Sequence, residues 1–226
     1  QYRVADFDDG FTRAALGRAR EKAFALLAGA AVAGPSVGRI WAEVEAAGLR
    51  VTAAKMVRLD AADAASVASG CTEGVTPAAL AAAPAVALEL FGENAREAWA
   101  GLRGQLVEAG VSSTGAIAAA TTAEHDERLR GAFFDPTSSA ARLASSRDVA
   151  ADGGAGGAKV TVALVLPTAV SKGHAGAILQ DLLGGVTGGA GGLRLTALAM
   201  HDLDRRCADE YLDVYKAVIP DFTVRM

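Results

Sequence analysis

Apolar positions along the chain fall into two alternating kinds of run. "EKAFALLAGA" (21–30) and "KVTVALVLP" (159–167) are short continuous apolar stretches of strand length. Each is followed by apolar residues at helical spacing: Val37, Ile40, Trp41 and Val44 after the first, Ile178, Leu179, Leu182 and Leu183 after the second. A glycine then ends each helix, and a β-branched stretch closes at Asp60 or Asp204, residues suited to cap the next helix. The order predicted twice is β-α-β-α. The first run continues with a third strand, "APAVALELFG" (83–92), and a helix, "ENAREAWAGLRGQLVEAG" (93–110), whose Ala95, Ala98, Trp99, Leu102 and Leu106 share one side. "SSAARLASS" (138–146) predicts one more short helix. This succession suits an α+β fold in which helices pack on an antiparallel sheet, of the ferredoxin-like (βαββαβ) kind.

The two runs form an internal repeat. "GLRVTAAKMVRLD" (48–60) returns as "GLRLTALAMHDLD" (192–204), with Gly, Leu, Arg, Thr, Ala, Met, Leu and Asp in register at an offset of 144. The first strands align at an offset of 138, Ala25 with Ala163, and the six additional residues fall in the glycine loop "GGVTGGAGG" (184–192). By this register Met226 corresponds to Ala82, so the second copy is expected to be incomplete. The expected organisation is the end of a preceding β domain and a linker at 1–19, a first unit at 20–150, a flexible Gly/Ala linker at 151–158, and the N-terminal half of a second unit at 159–226.

Composition narrows the function classes. The 226 residues are 51% hydrophobic and 21% charged, globular values, although much of the apolar share is alanine and 26 residues are glycine. A net charge of −4 gives no electrostatic footprint for a nucleic-acid backbone. Cys71 and Cys207 lie far apart with no metal-ligand spacing, which argues against a disulfide framework or a zinc site. Pro35 and Arg39 cut the apolar stretch from Ala23 short of a membrane span, and the opening "QYRVADFDDG" is polar and acidic. The expectation is a soluble intracellular protein, or a piece of one, with no membrane partner.

"EKAFALLAGA", "GLRVTAAKMVRLD" and above all "PAVALELFGENAREAW" resemble the nucleoside diphosphate kinase family. Its members carry a Lys-Pro-Asp-Ala turn after the first strand and a Gly-Glu-Asn-Ala-x-x-x-Trp helix start after the third. Two such units after "YRVADFDDGFTRAALGRAREK", with "DEYLDVYKAVIPDF" (209–222) in the second, are similar to the ciliary and centrosomal type of that family, and the alanine and glycine richness suits a green-algal version.

The resemblance implies phosphoryl transfer through a histidine, and the residues for it are missing. The turn lysine is replaced by Ala28 and Leu166; the arginine of the helix after "ENA" falls on Ala100; the base-holding aromatics fall in "GVTPAAL" (74–80). About ten residues that would include the histidine are absent from "RGAFFDPTSSAAR" (130–142). His125 is expected in an acidic loop, His174 at a helix start and His201 at a strand end, each in an ordinary surface role. Ser138 and Ser139 have no adjacent base to activate them. Arg130 stands where a phosphate-binding arginine is expected and is a weak vestigial candidate, with a surface ion pair as its alternative use. No catalytic residue, cofactor or metal ligand is predicted.

Taken together, the resemblance and the missing charges imply a non-catalytic structural component of ciliary or flagellar doublet microtubules. It would be a microtubule inner protein of the axoneme with tubulin and other inner-wall proteins as partners, and with the basal body or centrosome as a further location. Its contact surfaces would be the exposed loop "TTAEHDERLRG" (121–131), the glycine loop near 188, and "YLDVYKAVIPDF" (211–222). The alternative is nucleoside diphosphate kinase activity in a completed second unit; a third reading is nucleotide sensing without turnover, supported by Arg130 alone.

Overall fold

The computed structural model describes residues 20–135, 161–184 and 193–201, together with Arg206 and Glu210. Four strands, β1 (Arg20–Leu27), β2 (Arg50–Val57), β3 (Ala85–Glu93) and β4 (Ile117–Ala119), form one antiparallel sheet in the order β2-β3-β1-β4. Between them lie α1 (Ala30–Ala33), α2 (Ser36–Ala46), α3 (Ala61–Gly70), α4 (Pro77–Ala82) and α5 (Ala95–Glu108), and α6 (Ala123–Phe134) follows β4. The architecture is α+β and compatible with the ferredoxin-like expectation.

Period-two alternation explains how β1 can be continuously apolar and buried from Ala23 to Leu27: it is central, and the sheet is covered on both faces. Ala23, Ala25 and Leu27 meet Val37, Ile40, Trp41 and Val44 of α2 and Trp99, Leu102 and Leu106 of α5. Phe24, Leu26 and Ala28 point the other way, into a second cluster with Ala64 and Val67 of α3, Leu80 of α4, and Leu129 and Phe133 of α6. The Phe24 and Phe133 rings lie 5.3 Å apart. Burying an aromatic or aliphatic side chain of this size stabilises by about 1.5–3 kcal/mol, so two filled faces make up for the thinness of the alanine positions between them.

Local chemistry sets the element ends. Asp60 caps α3 as its sequence position predicted, accepting from the Asp63 N–H at 2.8 Å. Thr76 caps α4 in the same way, with Pro77 at the first helical position, so "GVTPAAL" contains a helix start that small residues alone did not announce. Asn94 enters α5 with φ at +46°, and the Glu21 carboxylate of β1 accepts from the Arg96 N–H at 3.1 Å. Trp99 is fully buried, yet its indole N–H is satisfied by the Ala118 carbonyl at 3.0 Å.

Two expectations are corrected. The stretch 121–131 is not an exposed loop: Thr122 accepts from the His125 N–H at 3.1 Å and starts α6, which continues to Phe134 because Asp126, Leu129, Ala132 and Phe133 bury one face. His125 and Arg130 are therefore helical residues. The apolar run before Pro167 is not a strand: 161–166 has no regular structure, and Val162, Leu164 and Leu166 are exposed. A strand needs ladder partners for its backbone, and none pairs with 161–166 among the described residues. Pro167 instead opens α7 (Pro167–Ser171), and α8 (Ala175–Gly184) follows with Ala175, Gly176, Leu179 and Leu183 buried. Helix α8 packs on α2, and Leu198 and Met200 lie against the same core cluster. The helix expected at 138–146, residues 1–19, the linker 151–158, the glycine loop near 188, Ser138, Ser139, Asp204 and 211–222 lie outside the described residues.

Candidate functional site

The polar cluster built most completely among the described residues surrounds Arg130. Glu89 sits in the middle of the apolar strand β3, only 7% exposed. Its carboxylate meets Lys22 Nζ at 2.8 Å and Arg130 Nη1 at 3.5 Å. A β-bulge in β2, where the pairing jumps from Val51 to Ala53, leaves Thr52 unpaired, and its hydroxyl donates to Glu89 Oε1 at 2.9 Å. Burial pushes the Glu89 carboxyl up, but the hydrogen bonds from Lys22 and Thr52 and the charges of Lys22 and Arg130 outweigh it and hold the group below its ordinary value.

Asp126, one turn before Arg130 on α6, completes the cluster. Its Oδ2 accepts from Arg130 Nε at 2.7 Å, and its Oδ1 accepts from the Phe24 N–H at 2.7 Å. Strand β4 pairs with β1 only along Ala25–Leu27, so this carboxylate serves the next backbone donor where the strand has already left off. The arrangement bolts α6 to the sheet. Its two cations and two carboxylates cancel, and the Arg130 guanidinium is held by both acids, so little positive field is left to attract a phosphate.

The positions implied by the family resemblance lie apart from this cluster or carry no charge. Ala28 ends up 2% exposed in the second core cluster, its N–H donating to the Ala116 carbonyl at 2.8 Å. Leu166 is exposed before Pro167. Ala100 is an exposed residue of α5, and Pro77–Ala79 form the exposed first turn of α4. His125 Nδ1 is 2.6 Å from the Thr121 hydroxyl on the surface. His174 lies just before α8 and His201 at the end of 193–201, both exposed. Cys71 is buried, and burial pushes its thiol up to about 12 despite the opposing charge of Arg128, so it is not a ready nucleophile. Among the described residues no group of three or more His, Cys, Asp or Glu is placed to hold a metal ion, and no helix is long and apolar enough to cross a membrane.

Arg130 is legible in the sequence, whereas its partners are not. Asp126 was hidden in a stretch read as loop, and Glu89 in a strand read for its apolar pattern. The signal for Glu89 was nonetheless present: an acid inside an otherwise continuous apolar strand must find a cation or a hydrogen-bond donor.

An α+β fold with a four-stranded antiparallel sheet, an acid-bolted helix after its last strand and an uncharged turn after its first strand is the class that fold and site define. Among known proteins the chain is similar to nucleoside diphosphate kinase homolog 7 of Mus musculus, 26% identical over 230 residues that take in 97% of this chain. The match covers 56% of the mouse protein, so the chain spans about half the length of that relative. No family model matches the chain.

Proposed function

We propose that the chain is a nucleoside diphosphate kinase-like protein with two units in tandem, at 20–150 and from 159 onward, that it does not catalyse phosphoryl transfer, and that it serves as a structural component of ciliary doublet microtubules. On this reading its partners are tubulin and other inner-wall proteins, and it resides in the axoneme. The single observation that carries the non-catalytic reading is Ala28. Phosphoryl transfer depends chiefly on charges aimed at the transferred group. The position after β1 where the family resemblance puts a lysine holds a methyl group buried in an apolar cluster. Arg130, which could have supplied a second cation, is engaged by Asp126 and Glu89. The structural role rests on the similarity to a homolog in this family together with the retained sheet and helices.

Two measurements on the full-length protein test the two parts. After isolated cilia are stripped of membrane and matrix and extracted with high salt, the protein is expected to remain with the doublets; release into the soluble matrix would sink the lattice role. Incubation with radiolabelled ATP is expected to leave no acid-labile phosphohistidine. A stoichiometric phosphoenzyme would instead favour an enzyme whose active unit includes residues outside 1–226.

A further inference from the structure

Gly70, the last residue of α3, is the meeting point of a second polar cluster that shares no residue with the one around Arg130. The Thr121 N–H donates to the Gly70 carbonyl at 3.0 Å, and the Thr121 hydroxyl lies 3.3 Å from the same oxygen. That hydroxyl is also 2.6 Å from Nδ1 of His125 in the first turn of α6. A hydroxyl has a single proton to give. With that proton on the Gly70 carbonyl, the imidazole carries its own on Nδ1 and aims it at the Thr121 oxygen. Arg128 reaches the same spot from the next turn of α6. A Cβ on Gly70 would stand 2.7 Å from Arg128 Nη2 and 3.6 Å from the His125 Cβ, so the guanidinium fills the space that a side chain at 70 would take. Thr121 and Arg128 are exposed, and no acid pairs with Arg128 among the described residues.

We propose that Thr121 is a phosphorylation site and that Arg128 and His125 form the cradle for the phosphate it would carry. An exposed hydroxyl between an imidazole donor and a guanidinium with no acid beside it lacks only the anion that would satisfy both. A phosphate on Thr121 brings three strong acceptor oxygens and close to two negative charges, and its bonds to arginine are charge-assisted. The sequence supplies the approach of the modifying enzyme. Glu124 stands three residues after Thr121 and Glu127 six, both exposed, a charge pattern suited to an acid-directed protein kinase. At the same spacings Thr122 meets His125 and Arg128. Its hydroxyl also accepts from the His125 N–H at 3.1 Å as the cap of α6, so a phosphate there would cost the cap. Glu124 repels the phosphate once it is in place, but from an exposed position screened by water and salt, while Asp126 is already held by Arg130 and the Phe24 N–H. In the transfer the Thr121 oxygen attacks the γ-phosphorus of ATP held by the kinase. The bond from that phosphorus to the β,γ-bridging oxygen breaks, ADP leaves with the electron pair, and the hydroxyl proton passes to the kinase's base. The site stands whether or not this chain is itself catalytic.

The test treats the full chain with ATP and an acid-directed serine/threonine protein kinase. Mass spectrometry is expected to find phosphate on Thr121, and Glu124→Gln to lower that labelling about fivefold or more. A Thr121 that stays unmodified, or that is labelled equally in Glu124→Gln, would overturn the acceptor. His125 ring signals that move with added inorganic phosphate while Thr121 stays unlabelled would give the cradle to a free anion and overturn the covalent site. For the cradle itself, phosphorus NMR of the phosphorylated chain is expected to place the second phosphate ionisation below its value in the urea-unfolded chain, because neighbouring cations favour the dianion. Arg128→Gln and His125→Gln, phosphorylated in the same way, are each expected to bring it back up. Titrations identical in the parent and both variants would overturn the cradle. Gly70→Ala, whose methyl takes the place of the Arg128 tip, is expected to act in the same direction as Arg128→Gln; no shift there would overturn the placing of the guanidinium over Gly70.

Discussion

Phe24, Leu26 and Ala28 are 1%, 1% and 2% exposed, while Val162, Leu164 and Leu166, at the same places in the second apolar run, are 85%, 49% and 52% exposed. The second run is, if anything, the more β-branched, so intrinsic preference does not explain the difference. What differs is company. The first run lies between β3 and β4 beneath α3, α4 and α6, and none of the described residues pairs with 161–166. A strand is a property of its ladder, and the same pattern of side chains remains irregular where the ladder is missing.

Truncation should expose that contrast most strongly. Phe24→Ala removes a ring packed on Phe133 from a filled core and is expected to cost about 3–5 kcal/mol in denaturant unfolding. Val162→Ala, at the matching place in the second run, is expected to change stability by less than about 0.5 kcal/mol. Equal costs would mean that Val162 is buried in solution and that the contrast is false.

The second contrast is electrostatic. Glu89→Gln keeps the shape of the cluster but removes the charge that Lys22 and Arg130 share, and is expected to cost about 1.5–3 kcal/mol near neutral pH. Because the folded-state pKa of Glu89 lies below its unfolded value, its contribution is full above the unfolded value and disappears as pH falls through the folded one. Unfolding midpoints measured from pH 7 downward should therefore fall less steeply in Glu89→Gln than in the parent. A parallel pair of curves would show that the carboxylate is not the group that titrates.

How far the sequence reveals this molecule depends on how local each determinant is. Helices α2, α3 and α5 and strands β1, β2 and β3 were legible because their apolar period and end residues lie within a dozen positions of one another. The cap at Asp60 was legible for the same reason, and Asp60→Ala is expected to cost about 1 kcal/mol, read as a lower thermal midpoint. The site was less legible. Arg130 stood out as a lone cation, but one of its partners comes from a strand 41 positions away and another from a helix mistaken for a loop because its polar residues outnumber its apolar ones. The fate of the second apolar run was not legible at all, since it turns on which segments pair with it rather than on its own composition.

The smallest effect tests the empty lysine positions. Ala28 and Leu166 occupy matching places, yet a lysine would meet opposite surroundings at the two. At 28 its ammonium would be forced among Phe24, Leu80 and Phe133 and away from water. At 166 the side chain already reaches solvent and precedes the proline that starts α7, so a long flexible stem can lie on the surface with its charge in water. Leu166→Lys is therefore expected to shift stability by no more than about 0.5 kcal/mol in either direction in denaturant unfolding. If it proved strongly destabilising, Leu166 would have to be buried in the protein in solution, and the exposed run before Pro167 would then be a covered strand like β1.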